Sequence, residues 1–430
     1  MTLKEIIQGK KILFFSVSFF NYEKIIGERL KELGADVDFY DERPSNSIFV
    51  KGLIRLKREL YKVQIDKYFK RILGDIKNKR YDYFLLIKGE VVPDFFIEEL
   101  KALNPEIVMI YYNYDSFKNN PNAQSILKYF DKKFTFDKKD ALDYKINFRP
   151  LFFSKEYEEI NDIHNGFEYE TMFVGTAHTD RYMISEKVKS WCEKNSYLSY
   201  TFYYSPSKSV FYFKKRFDKT FKTFDINKIT FKSLQHSEII NLYKKSKAVL
   251  DINHPFQTGL TMRTFEALGA GRKLITTNPY VKEYPFYNPQ NILIIDRENV
   301  VMNKDFFETD FVKMDTESLH KMSLDGWIDC LFNKEQDNIG YKMIKTLLFG
   351  SNGFLGSHLK SKLDGEVIGV NIRQQNWQEN IPDDAHVFIN CIGKAHDHKG
   401  TATEDDFYFA NFELVKVLFE EFLKSNAQIF

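Results

Sequence analysis

Short apolar runs alternate with amphipathic stretches along most of the chain. In its first third, each run is four to ten residues long, which suits a buried strand, and apolar residues at helical spacing lie between the runs. Gly34, directly after the helix predicted at 22–33, is typical of a helix C-terminus. Strands that alternate with helices predict an α/β domain with a parallel sheet. The strands predicted here are residues 11–20, 37–40, 83–88, 107–112 and 134–137.

The same alternation starts again after a break in the pattern. Residues 155–168 are charged and polar without an apolar period, which indicates a hinge between two lobes. The strands predicted beyond the hinge are residues 171–174, 248–252, 273–277 and 292–295. The pattern therefore predicts an α/β protein with two Rossmann-like lobes, residues 1–150 and 151–335. A partial third Rossmann-like domain follows at 343–430.

Composition narrows the classes of function. The 430 residues include 62 basic and 60 acidic side chains, and the net charge of +2 argues against a dedicated nucleic-acid binder. A hydrophobic share of 43% and a charged share of 28% are typical of a globular protein. Cys192, Cys330 and Cys391 lie far apart and suggest neither a disulfide framework nor a metal motif, so we expect a reducing, cytoplasmic location.

Two basic stretches raise the question of a surface partner. Residues 51–80 carry eleven basic and three acidic side chains, with apolar residues at helical spacing. Such a helix either lies on an anionic membrane or packs its apolar stripe on the core, and both interpretations stay open. Residues 208–232 interleave lysine with phenylalanine, a pattern that single-stranded nucleic acid would suit. The balanced total charge favours a solvated face over a core instead.

The stretch 251–277 holds the strongest candidate chemistry. It runs from a predicted strand through a loop into a helix at 262–268, which Gly269 ends before the next strand. Free N–H groups at a helix N-terminus attract anions, and Arg263 adds a forked cation suited to a diphosphate. Glu266, one turn further on, is placed to accept two hydrogen bonds from a ribose diol. The alternative is a surface pair in a common α/β unit.

Residues 263–277 have the sequence RTFEALGAGRKLITT. This segment resembles the C-terminal signature of GT-B glycosyltransferases, in particular the CgeB-like group 1 set. The resemblance extends over about residues 10–335. It implies a GT-B fold whose second lobe binds a nucleotide-sugar donor and whose first lobe faces the acceptor, with a helix at 316–333 that crosses back to the first lobe. The donor-binding residues that it implies are Gly175, Thr176, Arg181, His254, Gly259, Arg263 and Glu266.

Asp115 is the candidate general base. It follows the strand predicted at 107–112, and ligands of open α/β sheets collect at the carboxyl ends of strands. CgeB-like proteins similarly have an aromatic-x-Asp element at this point. The alternative is that Asp115 caps a helical turn that starts at Ser116.

The resemblance also bears on the leaving group and the stereochemistry. GT-B enzymes usually work without an essential metal, so the charge of the departing diphosphate is assigned to Arg263, Lys273 and the helix N-terminus. Many retaining enzymes of this fold carry an acidic residue eight positions before the ribose-binding Glu. This sequence has Thr258 there, so retention or inversion stays open.

The third piece opens with a glycine motif. A predicted strand at 343–349 leads into Gly350, Gly353 and Gly356 and then a helix, the order of a dinucleotide-binding turn. The segment resembles the start of an extended short-chain dehydrogenase of the nucleotide-sugar epimerase/dehydratase kind, which implies NAD or NADP as its cofactor. The family's catalytic Ser and Tyr-x-x-x-Lys are absent, so we expect this piece to be inactive. Met343 suggests the hypothesis that two neighbouring reading frames were joined.

We therefore expect a cytoplasmic glycosyltransferase that needs no cofactor for transfer. Its acceptor is expected to be a surface polysaccharide, such as capsule or lipopolysaccharide, or a lipid-linked glycan. Residues 51–80 would give peripheral contact with the inner membrane, and no nucleic acid is expected as a partner. The alternative is a non-catalytic module that binds a nucleotide or NAD(P).

Overall fold

The computed structural model describes residues 2–18, 21–47, 50, 52, 54, 58–163, 166–177, 180–217, 224–255, 257–333, 345–363, 366–382, 385–394, 400–425, 427 and 429–430. The chain divides into two compact units, Met1–Tyr341 and Lys342–Phe430. Within the described residues, no helix is long and apolar enough to cross a bilayer. Met343, where the hypothesis of joined frames places the boundary, lies outside the described residues.

The first lobe of the larger unit is built on a six-stranded parallel sheet. Its strands are β1 Lys11–Ser16, β2 Asp36–Asp41, β3 Tyr83–Ile87, β4 Val108–Asn113, β5 Lys132–Thr135 and β6 Asn147–Phe148. They lie in the order β2-β1-β3-β4-β5-β6. The order changes direction between β1 and β3, and a crevice opens at the carboxyl ends of strands at such a point. β3 is buried along its whole length because helices cover both faces of a parallel sheet.

Helices connect these strands. They are α1 Leu3–Ile7, α2 Tyr22–Glu32, α3 Lys62–Ile76, α4 Asp94–Leu103, α5 Pro121–Ile126 and α6 Lys138–Tyr144. Gly34 follows α2 with φ +95°, so the predicted glycine stop is present. Helix α3 covers part of the basic stretch 51–80. It buries Ile65, Phe69 and Ile72 in the core of the lobe, so its apolar stripe faces inward.

The second lobe repeats the plan with a different strand order. Its strands are β7 Tyr169–Thr176, β8 Ser199–Tyr204, β9 Ile229–Thr230, β10 Ser246–Asp251, β11 Lys273–Thr276 and β12 Ile292–Ile294. All are parallel, in the order β12-β11-β10-β7-β8-β9. Counted within the lobe, this is the doubly wound order 3-2-1-4-5-6, whose switch point lies between β7 and β10.

The helices of the second lobe include a return to the first. They are α7 Lys155–Glu158, α8 Arg181–Lys194, α9 Lys208–Phe217, α10 His236–Lys245, α11 Met262–Gly269, α12 Lys304–Glu308, α13 Thr316–Met322 and α14 Leu324–Phe332. The single helix predicted at 316–333 is two helices, because Ser323 adopts an extended backbone and caps the second one. Helix α14 contacts the first lobe: Asp325 pairs with Arg29 at 2.7 Å, and Trp327 packs on Tyr112.

The smaller unit is a three-stranded parallel sheet in the order β14-β13-β15. Its elements are β13 Lys345–Phe349, α15 Phe354–Lys360, β14 Glu366–Val370, β15 Val387–Asn390, α16 Glu404–Tyr408 and α17 Leu414–Lys424. Leu347, Phe349 and Phe388 form its core together with Leu418 of α17. Counted within the unit, the order is 2-1-3 with the first strand in the centre, which occurs in doubly wound parallel sheets and differs from the 3-2-1 order of the first half of a classical Rossmann fold.

Candidate functional site

The carboxyl ends of β7 and β10 are adjacent at the switch point of the second sheet. Thr176 ends β7 and Asp251 ends β10, and α11 starts next to them after Thr261. The hydroxyl of Thr261 donates to Asp251 at 2.7 Å and makes no capping hydrogen bond to α11. The first N–H groups of α11 are therefore not satisfied by this side chain, which suits an anion at the helix start.

Arg263 joins the two strand ends. Its Nη2 donates to the carbonyl of Val174 on β7 at 2.5 Å, and its Nη1 lies 3.4 Å from Asp251 Oδ1. Asp251 is 1% exposed, whereas the Arg263 side chain keeps 22% of its surface exposed. Nearby carboxylates raise the pKa of Arg263 against the lowering effect of its burial. The guanidinium is thus fixed, charged and still accessible.

Two further arginines lie beside Arg263. Arg181, at the start of α8, donates to the carbonyl of Ile252 and to the hydroxyl of Thr176, each at 3.0 Å. Arg297 binds both oxygens of Asp180, at 3.0 and 2.8 Å, and the carbonyl of Asn253 at 2.6 Å. Arg297 was not predicted as a site residue because it lies on a polar loop with no motif around it.

The three guanidinium groups crowd one another. Burial and then the charge of Arg263 lower the pKa of Arg181 to about 10. Asp251 and Asp180 form ion pairs with Arg263 and Arg297, whereas Arg181 donates to a carbonyl and a hydroxyl, both neutral. Partly buried positive charge is costly unless an anion compensates it. The arrangement is therefore suited to bind a phosphate or diphosphate.

Glu266, one turn along α11 from Arg263, is surrounded by tyrosines. The hydroxyl of Tyr22, from α2 of the first lobe, donates to Oε1 at 2.5 Å, and that of Tyr243 donates to Oε2 at 3.2 Å. Tyr157, from the hinge, also interacts with Glu266, and burial raises the pKa of all three phenols. A carboxylate has about four acceptor positions, so a ribose diol would share Glu266 with these hydroxyls or replace them.

Gly259 and His254 differ in their surroundings. Gly259 is buried at the contact between the lobes: a Cβ there would lie 2.5 Å from the ring of Phe136, and its N–H donates to Asp137 Oδ2 at 2.9 Å. Asp137 also accepts from the hydroxyl of Thr258 at 2.5 Å. The glycine is thus required by packing against the first lobe. His254 lies exposed in the loop after β10.

Gly175, the other glycine predicted for the donor, also has a packing role. A Cβ at this position would lie 2.7 Å from the ring of Phe173, two residues earlier on β7. Gly175 itself is half-buried next to Thr176, at the switch point. The structure therefore brings Gly175, Thr176, Arg181 and Arg263 to one edge of the sheet.

Lys273 does not belong to this edge, and its predicted part in leaving-group stabilisation is wrong. It begins β11, so it lies at the amino end of the strand, at the opposite edge of the sheet. Its ammonium donates to the carbonyls of Gln290 and Phe306 and to the hydroxyl of Thr309, at 3.0, 2.6 and 2.7 Å. Burial lowers its pKa to about 8. It is a structural cation.

Asp115 lies at the carboxyl end of β4 in the first lobe. Its Oδ1 accepts the N–H of Ser116 at 2.9 Å, and its Oδ2 lies 3.6 Å from Lys88 Nζ. The cap of the following 3₁₀ turn is Ser116, whose hydroxyl accepts the N–H of Lys118, so Asp115 is not the capping residue. Its side chain is 34% exposed. Two residues further on, the N–H of Phe117 donates to Asp140 Oδ2 at 2.9 Å, and burial, followed by the charges of Asp137 and Asp143, raises the pKa of Asp140 to about 6.

A compact charge network lies beside Asp115 at the β1/β3 switch point. Lys88 and Gly89 follow β3 with φ of +83° and +68°, and this turn directs the N–H of Glu90 to both oxygens of Glu42, at 3.1 and 3.0 Å. Glu90 in turn binds Arg43 at 2.6 Å and lies 3.4 Å from Lys88. Burial, followed by the charge of Glu90, raises the pKa of Glu42 to about 8.

The glycine turn of the smaller unit has the geometry that its motif requires. Gly350 has φ +78°, and a Cβ on Gly356 would lie 2.1 Å from the carbonyl oxygen of Gly350. Gly353 donates its N–H to that same oxygen at 3.0 Å. Only glycines permit the helix start to approach the strand end so closely. Across the described ranges, no cluster of three or more His, Cys, Asp or Glu side chains is suited to hold a metal ion.

Several solved structures resemble this chain in fold. An alpha-glucosyltransferase in complex with UDP and a 13-mer DNA has a TM-score of 0.45 at 12% identity, with 76% of this chain and 93% of that chain covered. A glycosyltransferase from Rickettsia africae ESF-5 has a TM-score of 0.44 at 14% identity, with 75% and 94% covered. A UDP-GlcNAc 2-epimerase from Methanocaldococcus jannaschii, in complex with UDP-GlcNAc and UDP, has a TM-score of 0.39 at 12% identity, with 76% and 93% covered. No protein-family model and no curated protein matches the sequence.

The fold is clear from the chain itself, which has two parallel Rossmann-like sheets and a final helix, α14, that packs back on the first lobe. This is the GT-B arrangement that the sequence predicted. Membership of the CgeB-like set, and the dehydrogenase resemblance of the smaller unit, stay predictions.

Proposed function

We propose that residues 1–335 transfer a sugar from a nucleotide-sugar donor to a hydroxyl group of a glycan. One observation carries the proposal: Arg181, Arg263 and Arg297 meet at the switch point of the second sheet, one helical turn from the buried carboxylate of Glu266. Cations for a diphosphate and an acceptor for a ribose diol are the two recognition elements that all nucleoside diphosphates share.

In this proposal the arginines also act on the reaction. As the bond between the sugar and the diphosphate breaks, negative charge grows on the departing phosphate oxygen. Arg263 is fixed by Val174 and Asp251 before the donor arrives, so it stabilises this charge without reorganisation. The uncapped start of α11 contributes in the same direction. These interactions supply the electrostatic help that a metal ion gives in other transferases.

Asp115 is the proposed general base. Its partly exposed carboxylate lies on the first lobe, two residues before Phe117, whose N–H donates to Asp140; the N–H of Asp140 in turn donates to Asp137, at the contact with the second lobe. It would accept the proton of the acceptor hydroxyl as that oxygen bonds to the anomeric carbon. Lys88 Nζ, 3.6 Å away, holds the carboxylate of Asp115 in position. The proposed acceptor is a surface polysaccharide or a lipid-linked glycan, on the strength of the family resemblance.

A ligand panel on the full chain tests the proposal. The melting temperature is measured with UDP, GDP, dTDP, CMP, NAD and NADP, because a ligand that binds only the folded state stabilises it by about 2.7 kcal/mol at 100 times its Kd. We expect a shift with one nucleoside diphosphate that is lost in Arg263→Gln. Release of sugar from the matching nucleotide sugar, lost in Asp115→Asn while nucleotide binding persists, then separates an enzyme from a binding module. A chain that binds no diphosphate would contradict the proposal.

The glycine turn supports a second candidate function, binding of NAD or NADP by residues 343–430. Gly350, Gly353 and Gly356 have the close approach that a pyrophosphate site needs. Asn371 directly follows β14, at the position where an acidic residue usually binds the adenosine ribose. Arg373, two residues further on, favours the 2′-phosphate of NADP. A shift with NADP that survives Arg263→Gln and is lost in Gly353→Asp would assign this site. A shift with NADP that Gly353→Asp leaves intact would contradict it.

A further inference from the structure

Helix α9 exposes a patch of aromatic side chains on the second lobe. Tyr212, Phe213 and Phe217 are 56%, 66% and 71% exposed, so three large rings face outward within six residues. The opposite side of the helix is anchored. Phe211 is fully buried in the core of the lobe, and Lys215 donates to the carbonyl of Phe224 at 3.0 Å. The exposed rings are therefore held in place on an ordered helix.

The rings form one apolar surface. The centroids of Phe213 and Phe217, one helical turn apart, are 4.8 Å from each other. Burying two such side chains removes a large apolar area from water, which is the main term in binding an apolar phase. Isolated exposed apolar residues need no explanation, but a contact pair on one helix face indicates an interaction surface.

Positive charge surrounds this surface. The ten residues of α9 include Lys208, Lys214, Lys215 and Arg216 and no acidic residue. The Arg216 guanidinium lies 5.8 Å from the centre of the Phe217 ring, so cation and apolar surface are directly adjacent. The whole chain is nearly neutral, at +2, so this helix is a local concentration of charge. A partner that complements α9 therefore carries negative charge at its surface and apolar groups below that surface.

We propose that α9 binds the surface of an anionic lipid bilayer, with Phe213 and Phe217 inserted among the acyl chains and the cations at the headgroups. Short basic helices with aromatic residues on the apolar side bind bilayers in this way. A single-stranded nucleic acid fits less well. It stacks its bases on separate aromatic platforms, whereas Phe213 and Phe217 are in contact with each other, with their ring planes tilted by 46°.

This surface differs from the one that the sequence suggested. Helix α3 turns Ile65, Phe69 and Ile72 into the core, so the apolar stripe of residues 62–76 is not available to lipid. Leu60 and Val63, just before and at the start of α3, are 65% and 76% exposed. They provide a matched control, because they are exposed apolar residues on the other lobe, in the basic stretch 51–80.

Vesicle co-sedimentation of the full chain tests the proposal. Vesicles of phosphatidylcholine with 30% phosphatidylglycerol are compared with phosphatidylcholine alone. We expect binding to the anionic vesicles that Phe213→Ser/Phe217→Ser weakens at least about tenfold. Lys208→Gln/Arg216→Gln should weaken it about fivefold for each charge and reduce its salt dependence, because two of the four cations are removed. Leu60→Ser/Val63→Ser should leave it unchanged.

The outcomes separate the possible partners. All four substituted side chains of α9 are exposed, so the melting temperatures of these variants should match that of the unaltered chain. Equal vesicle binding by the unaltered chain and by Phe213→Ser/Phe217→Ser would overturn the proposal, as would loss of binding only in the Leu60 and Val63 variant. Fluorescence anisotropy with a labelled oligothymidine is run in parallel. Oligothymidine binding that depends on Phe213 and Phe217, without vesicle binding, would also overturn it.

Discussion

The hydrogen bond from Tyr22 to Glu266 allows the effect of one substitution, Tyr22→Phe, to be predicted quantitatively. It joins the two lobes, spans 2.5 Å, and connects a partly buried phenol to a carboxylate whose residue is 7% exposed. A hydrogen bond to a charged group contributes about 1.5–3 kcal/mol to stability. Tyr22→Phe removes the hydroxyl and keeps the ring, which packs on Phe152. We expect the free energy of unfolding without ligand to fall by about 1.5–3 kcal/mol.

The same substitution should strengthen nucleotide binding. In the proposed function a ribose diol binds Glu266, so it competes with the hydroxyl of Tyr22 for the same oxygen atoms. Without that hydroxyl, the ligand no longer has to break the bond, and about 1.5–3 kcal/mol corresponds to a roughly 10- to 150-fold lower Kd. Isothermal titration with the nucleoside diphosphate that stabilises the chain measures the change, and urea unfolding measures stability.

Tyr112→Phe is the matched control. Tyr112 is a buried tyrosine whose hydroxyl donates to the carbonyl of Arg149 at 2.9 Å, away from Glu266. Its removal should lower stability and leave the nucleotide Kd unchanged. If Tyr22→Phe leaves the Kd unchanged or raises it, Tyr22 does not compete with the ribose, and this account of Glu266 is refuted. Glu266→Gln is preferable to Glu266→Ala here, because glutamine keeps an oxygen acceptor for the hydroxyls of Tyr22 and Tyr243, whereas alanine removes it.

Three further predictions concern other parts of the larger unit. Arg263→Lys keeps the charge but loses the forked donor geometry, so the diphosphate Kd should rise at least about tenfold by titration calorimetry; an unchanged Kd would remove Arg263 from the site. The pKa of Glu42 is raised from its usual 4.5 to about 8, so the folded state binds the extra proton, and its contribution to stability is full below pH 4.5 and lost as the pH rises to 8. Urea unfolding across this range should therefore show a fall that is absent in Glu42→Gln, and parallel profiles would contradict the assignment. Gly259→Ala places a Cβ 2.5 Å from the ring of Phe136 and should lower the free energy of unfolding by about 1–3 kcal/mol, whereas an unaltered melting temperature would mean that the lobes adjust freely.

Local patterns determined much of this fold. The helix predicted at 22–33 is present as Tyr22–Glu32, and the glycine stop at Gly34 has the left-handed backbone that it needs. The strands predicted in the two lobes are present because a fully buried strand is a continuous apolar run between polar loops. Strands β6, β8 and β9 were not predicted, since two of them are only two residues long and β8, with the sequence SYTFYY, is not a continuous apolar run. The candidate donor helix was also visible, because Arg263 and Glu266 belong to one short motif.

The tertiary structure decided which residues meet. Tyr22 lies 244 positions from Glu266, and no local pattern signals that its hydroxyl reaches the second lobe. Lys273 looked like a site cation in sequence, but strand direction puts it at the opposite edge of the sheet. An amphipathic stripe such as that of α3 specifies an apolar contact but not its partner, so packing alone determined that it faces the core. The periodicity of apolar residues shows which side of a helix or strand is buried. The element that packs on that side depends on contacts between segments that are distant in the chain.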